Sequence, residues 1–373
     1  MQRITKAVIF IFLSFLLVKG GLFAQAGLIA DSLDDNALAA QVLLTGIDGN
    51  TELSPAMKSL LERIPTGGIM LFRYNLNASK STVKEFLSET GNTIANKNGI
   101  TPFMAVDHEG GLVHRFGPGV ERLPSAFSFW ELAQREGHVA SITKAEELYR
   151  RSASEIRELG ITMVLAPVVE LLNEENRLFL ETRSYGSDPD FVIDAASAFI
   201  KSMNEAGITC VLKHFPGNTA ADPHSGVSTL TAGKTALDEI TMPFAGIIRG
   251  IEMDAVMVSH VNVPAVDSKR IASLSAPVIE GWLRGELGFN GIVIADDFTM
   301  AAVSASGFSP AAAAVEAINS GVDMIMVWPN NIEAVHGAIL SALKEGRLSR
   351  EKLTRSAERI IEVKLKIGLV TLP

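Results

Sequence analysis

The chain has 373 residues, with 33 Lys+Arg against 42 Asp+Glu, 47% apolar residues and one cysteine, Cys210. That apolar share is ample for a core, and a single cysteine excludes both an intramolecular disulfide framework and a multi-thiolate zinc site. A net charge of −9 argues against a general affinity for nucleic acid or anionic membrane, and 6% aromatic residues argue against a broad stacking platform for bases or long glycans. Residues 1–26 open with Arg3 and Lys6, run apolar through AVIFIFLSFLLV and close on Ala24 and Ala26. This is the pattern of a secretory signal peptide cleaved near Ala26. Lys19 interrupts the apolar run, and an uncleaved membrane anchor is the alternative. Removal of 1–26 takes the net charge from −9 to −12, and residues 27–373 are expected to form one exported domain, periplasmic or extracellular.

Along that domain, short continuous apolar runs recur, each ending in a polar or turn residue: QVLLTG (41–46), GGIMLF (67–72), PFMAVD (102–107), TMVLAP (162–167), CVLKHF (210–215), DAVMVSH (254–260), GIVIADD (291–297) and DMIMVW (323–328). Runs that do not alternate suit strands buried on both faces, as in parallel sheets. Amphipathic stretches separate them, including SKSTVKEFLSETGNTI, ITKAEELYRRSASEIREL, DFVIDAASAFIKSMNEAG, LDEITMPFAGIIRG, SAPVIEGWLRGELG, SPAAAAVEAINSG and LTRSAERIIEVKLKIG. Gly207, Gly288 and Gly321 stand where helices must stop. Eight strands alternating with helices predict an α/β fold, a (β/α)8 TIM barrel in a single catalytic domain. A doubly wound open sheet is the competitor, but it would usually want a Gly-rich phosphate turn after an early strand, and none is present.

In such a barrel the chemistry belongs at the C-terminal ends of the strands, and here those ends carry Asp107, Lys213 with His214, His260, and Asp296 with Asp297. In VDHEGGLVHRF, the Gly110–Gly111 pair permits a turn that returns Arg115 towards Asp107. A carboxylate and a guanidinium together can clamp a polyhydroxylated ligand, although an ordinary salt-bridged loop would read the same. Lys213 and His214 in KHFPG can donate to sugar hydroxyls, and a buried Lys–carboxylate pair is the plain alternative. In the loop NTAADPHSG, Asp222 can hold His224 in one tautomer and favour its protonated form, giving an acid and base usable near neutral pH. In GIVIADDFTM, one acid is expected to face the mouth as a nucleophile and the other to start a helix or stand behind it.

Taken together, GGIMLFRYNL, VDHEGGLVHRF, LAPVVEL, TRSYGSDP, KHFPG, MVSHVNVP, LRGELGFNGIVIADDFTM, AINSGVDMIMV and RIIEVKLKIGL resemble glycoside hydrolase family 3, and within it the single-domain bacterial β-N-acetylglucosaminidases. The resemblance implies Asp296 as nucleophile, Asp222 and His224 as an acid/base pair, and Asp107, Arg115, Arg183, Lys213 and His214 as binders of the terminal sugar. It implies double displacement with retained configuration on a small glycan or muropeptide, without metal or organic cofactor. The chain departs from the usual family pattern at Asn218 and Thr219 after KHFPG, at Pro223 between Asp222 and His224, at Leu112 in place of an Arg, and at Thr182 in place of an Asp. A β-glucosidase or glycoside phosphorylase of the same family is the alternative enzyme. A metal-dependent barrel hydrolase using His108, His214, His224 and His260 is a different chemistry, and a catalytically impaired sugar-binding protein is the non-enzymatic alternative. Nothing in the sequence signals an oligomeric state, a nucleic-acid partner, or a stable membrane partner beyond the export signal.

Overall fold

The computed structural model describes residues 21–370. The eight apolar runs form β1 (Leu43–Gly46), β2 (Gly68–Leu71), β3 (Phe103–Val106), β4 (Met163–Val164), β5 (Thr209–Phe215), β6 (Ala255–Val258), β7 (Ile292–Ala295) and β8 (Met324–Met326). Neighbours in chain order pair in parallel, and β8 closes on β1 with Leu43 opposite Ile325 and Leu44 opposite Met326. Closure excludes the open doubly wound sheet. Every residue of these strands is buried. Inward side chains fill the barrel and outward ones meet the helices, so the runs show no polar alternation.

The helices lie where the amphipathic spacing puts them, among them Lys80–Ala95, His138–Glu158, Pro189–Glu205, Pro310–Asn319 and Arg350–Lys366. Ser79, Ser309 and Ser349 cap three of them by accepting from a backbone N–H three residues on, satisfying one of the unpaired donors of the first turn. The stretch LDEITMPFAGIIRG reads as one helix but forms two, Lys234–Ile240 and Met242–Gly250. Pro243 has no N–H to continue a helix and is preset to begin one. The segment Pro277–Glu286 is a π-helix with Trp282 and Leu283 buried beneath it.

Residues 1–20, which carry most of the expected leader, lie outside the described residues. Residues 21–32 are helical, and Ala26 and Ala30 within them are fully buried. This helix rests on the final one: a Cβ added at Gly27 would stand 3.0 Å from Glu358 Oε1. No helix among the described residues is long and apolar enough to cross a membrane.

Candidate active site

A cavity of about 530 Å³ opens at the C-terminal ends of the strands, and Asp107, Arg115, Arg183, Lys213, His214, Asp222, His224 and Asp296 all line it. Its volume falls in the range of small-molecule sites. Asp107, Lys213 with His214, and Asp296 stand at or just beyond the ends of three barrel strands, and the loops that follow the strands bring the others. Arg115 comes by such a loop. After β3 the chain forms a hairpin, His108–Gly110 against Val113–His114, which turns through Gly110 and Gly111 at φ 87° and 53°. A Cβ at Gly110 would sit 2.1 Å from the Pro124 carbonyl oxygen, so only glycine fits there. The hairpin returns Arg115 Nη2 to 3.5 Å from Asp107 Oδ2.

The polar wall is a charge cluster around a residue that sequence reasoning missed. Glu109 accepts from Arg183 Nε at 2.7 Å and Nη2 at 2.9 Å, a two-pronged pair, and its Oε1 lies 2.7 Å from Lys213 Nζ. Lys213 also donates to Asp107 Oδ1 at 2.9 Å. Burial alone would push the Glu109 carboxyl up, but Lys213 and Arg183 overturn that and hold it well below the usual carboxylate range. Burial likewise opposes the charges of Lys213 and Arg183, and the facing carboxylates more than restore them. The cluster thus presents fixed donors and a partly exposed Asp107 to a ligand.

Glu170, also missed, organises the next segment. Its side chain is only 1% exposed. It takes His214 Nδ1 at 2.6 Å, the Asn218 backbone N–H at 2.6 Å and the Asn218 side-chain amide at 3.1 Å. Asn218, one of the departures from the family pattern, is therefore built into the support of His214. Glu170 could be found in the sequence only as an acid just past a buried run, in LAPVVEL. Two other departures stand apart from the cavity lining: Leu112 is exposed at the hairpin tip, and the Thr182 carbonyl accepts from the Phe127 N–H.

At the end of β7 both acids, Asp296 and Asp297, line the cavity, and they are held differently. Asp296 lines the cavity, and its Oδ1 accepts from the Asp297 N–H at 2.9 Å. Burial pushes Asp296 up, yet His214, His260, that N–H and Lys213 together hold it below its ordinary value. Asp297 is tied to the Thr299 N–H and hydroxyl at 2.8 Å and to Trp328 Nε1 at 2.7 Å. Burial, helped by the Asp296 charge, raises it. His260 stands behind the pair, with Nδ1 on Ser273 Oγ at 2.7 Å and Nε2 on the Asp297 carbonyl at 3.0 Å. Met70, Met257, Met326 and Trp328 add apolar surface to the cavity lining.

The Asp222–His224 pair forms as its spacing implies. Asp222 Oδ1 meets His224 Nδ1 at 2.7 Å and the His224 N–H at 2.9 Å. Burial works against the Asp222 charge, and these bonds outweigh it, leaving the carboxyl below its ordinary value. Both side chains are half exposed or more, at the rim of the cavity. The Pro223 carbonyl docks the loop by accepting from the Ala302 N–H at 3.2 Å. Among the described residues, no group of three or more His, Cys, Asp or Glu side chains gathers in an arrangement that could hold a metal ion.

The chain as a whole is similar to known proteins in sequence and in fold. The chain is 33% identical over 332 residues to a β-hexosaminidase of Stenotrophomonas maltophilia, covering 85% of this chain and 95% of the relative. It is 27% identical over 341 residues to β-hexosaminidase A of Pseudoalteromonas piscicida, again over 85% of this chain but only 56% of that longer protein. The structure of a glycoside hydrolase family 3 β-N-acetylglucosaminidase from Paenibacillus superposes with a TM-score of 0.84 at 31% identity, covering 92% of this chain and 65% of the other. The glycosyl hydrolase family 3 N-terminal domain matches residues 38–363, nearly the whole barrel, and the chain belongs to that family of glycoside hydrolases.

Proposed function

We propose that this chain is a retaining β-N-acetylhexosaminidase that releases terminal N-acetylglucosamine from small glycans or peptidoglycan fragments. The observation that carries the reading is a single cavity with a buried carboxylate, Asp296, inside it and a carboxylate-held imidazole, His224, at its rim. Asp296 Oδ1 is occupied by the Asp297 N–H, which leaves Oδ2 to attack the anomeric carbon. The Asp222 carboxylate requires a proton on His224 Nδ1, so Nε2 is the nitrogen left to give and take a proton. In the first step protonated Nε2 donates to the leaving oxygen as the C–O bond breaks and the ester to Asp296 forms. In the second step neutral Nε2 takes a proton from water, which attacks the same carbon and releases the sugar with retained configuration. Asp107 accepts from the sugar hydroxyls, while Arg115, Arg183, Lys213 and His214 donate to them. The Met and Trp328 surface suits the apolar face of the ring. The leader-like pattern of the first residues supports export as part of this reading, and fractionation that found the protein in the cytosol with an intact N-terminus would refute that part.

The test is cleavage of a chromogenic N-acetyl-β-D-glucosaminide and of the matching β-glucoside by wild type, Asp296→Ala and His224→Ala, each with and without phosphate. Wild type is expected to prefer the N-acetylglucosaminide, release free sugar, and lose about a thousandfold or more of its rate in Asp296→Ala. Equal activity of Asp296→Ala would refute the mechanism. A sugar phosphate as product would replace hydrolysis by phosphorolysis.

A further inference from the structure

We propose that Tyr74, stacked on Phe72 beside the cavity, is the binding shelf for the first sugar ring of the leaving group. This rests on the glycosidase reading above and names what that reading leaves open, the chemistry of the departing half of the substrate. The turn after β2 carries Phe72 and Tyr74 with ring centroids 5.8 Å apart and planes within 9°. Phe72 in turn meets Trp328 edge-on at 5.2 Å, so three aromatic rings run from the cavity wall outward. Tyr74 is 52% exposed, a large share for an aromatic ring whose hydroxyl is already tied down by donating to the Ile47 carbonyl at 2.9 Å.

The turn is held rigid from below. Asn75 is fully buried; its side chain accepts from the Phe72 N–H at 2.9 Å and donates to the Ile47 and Gly49 carbonyls at 3.2 and 2.7 Å. The exposed ring is thus fixed in place before any ligand arrives, which lowers the ordering cost of binding. A second hollow lies over it, lined by Phe72, Arg73, Tyr74, Asn77 and Arg115, and it shares Phe72 and Arg115 with the main cavity. A flat aromatic face flanked by guanidinium and amide donors matches a ring with one apolar C–H face and hydroxyls around its edge, which is a hexopyranose. The shelf is one ring wide, so it fits a disaccharide end better than a long polymer, in keeping with the low aromatic content.

The experiment compares kcat/KM for three substrates sharing N-acetylglucosamine: a β-linked disaccharide of that sugar, its methyl glycoside and its nitrophenyl glycoside. We expect Tyr74→Ala to lower the preference for the disaccharide over the methyl glycoside about tenfold. Tyr74→Phe should keep that preference, because the face remains when the hydroxyl is lost. Tyr74→Leu, which keeps apolar bulk without a flat face, should behave as Tyr74→Ala and covers the case in which the alanine variant folds poorly. If wild type cleaves all three substrates and the variants change the disaccharide and the methyl glycoside equally, the shelf is overturned and the glycosidase reading stands. If wild type cleaves none of them, the glycosidase reading falls and the shelf with it.

Discussion

Neutralising Glu109 probes the charge cluster at its centre. Glu109→Gln keeps the shape and one acceptor oxygen but removes the charge that faces Arg183 and Lys213. Lys213 retains Asp107 at 2.9 Å, whereas Arg183 loses its two-pronged partner. Removing one member of a buried ion pair costs about 3–5 kcal/mol, and retention of one acceptor places this case near 3 kcal/mol. For 373 residues at about 2.1 cal/mol/K each, the unfolding entropy near the midpoint is about 0.8 kcal/mol/K, so Tm should fall by about 4 °C. The wild-type carboxyl is held below its unfolded pKa. Its contribution is therefore complete above the ordinary Glu value and is lost as pH falls towards the folded one, and Glu109→Gln should lack that acid-side loss. Because Arg183 is no longer fixed, kcat/KM on a chromogenic N-acetylglucosaminide should drop at least about tenfold. Adding Lys213→Met should recover part of the Tm but none of the activity. A Glu109→Gln protein within 1 °C of wild type in Tm and within about twofold in kcat/KM would refute this account of the cluster.

Three further outcomes are expected. Burial, with His114 adding to it, lowers the His108 pKa to about 3; the folded state thus binds fewer protons than the unfolded one between about pH 6.5 and 3, and about 2 kcal/mol of stability should vanish between pH 6.5 and 4.5. Denaturant titrations at those two pH values check this, and His108→Gln should flatten the difference. Lys364 is fully buried with one hydrogen bond, to Gln41 Oε1 at 3.0 Å, and burial lowers its pKa to about 7. Wild-type stability should therefore rise with pH between 7 and about 10.5, and Lys364→Met should remove that slope and gain about 2 kcal/mol at pH 7 after leaving Gln41 Oε1 unpaired. Asp222→Asn should lower kcat/KM about a hundredfold or more, with a larger loss on the methyl glycoside than on the nitrophenyl glycoside, whose leaving group needs little protonation; equal losses on both would remove His224 from the acid role.

The barrel was legible because parallel strands buried on both faces must be written as unbroken apolar runs, and each of the eight runs formed a strand. Asp107, Lys213, His214 and Asp296 were legible as cavity residues by position, since a polar residue ending such a run stands next to the barrel mouth. Arg115 was legible through Gly110 and Gly111, the residues that allow the chain to turn back. Glu109 and Glu170 were not, because an acid beside a strand end looks the same whether it meets solvent or holds a buried Arg, Lys or His; only the partners tell them apart. His260 shows the converse: it ends a run as the others do, yet Ser273 and the Asp297 carbonyl hold it behind the cavity. The break in the helical stretch before Pro243 was written in the sequence, where the proline outranks the amphipathic spacing. The aromatic shelf was hidden by composition, for a low total of aromatic residues says nothing of two placed side by side at the mouth.

The central claim is a covalent sugar ester on Asp296. It is tested most directly by incubating the wild-type protein with a fluorinated N-acetylglucosaminyl donor whose second step is slow, then locating the adduct by peptide mass spectrometry. The account predicts one sugar per chain, attached to the peptide containing Asp296 and absent in Asp296→Ala. Turnover with no adduct, or an adduct on any other residue, would contradict it.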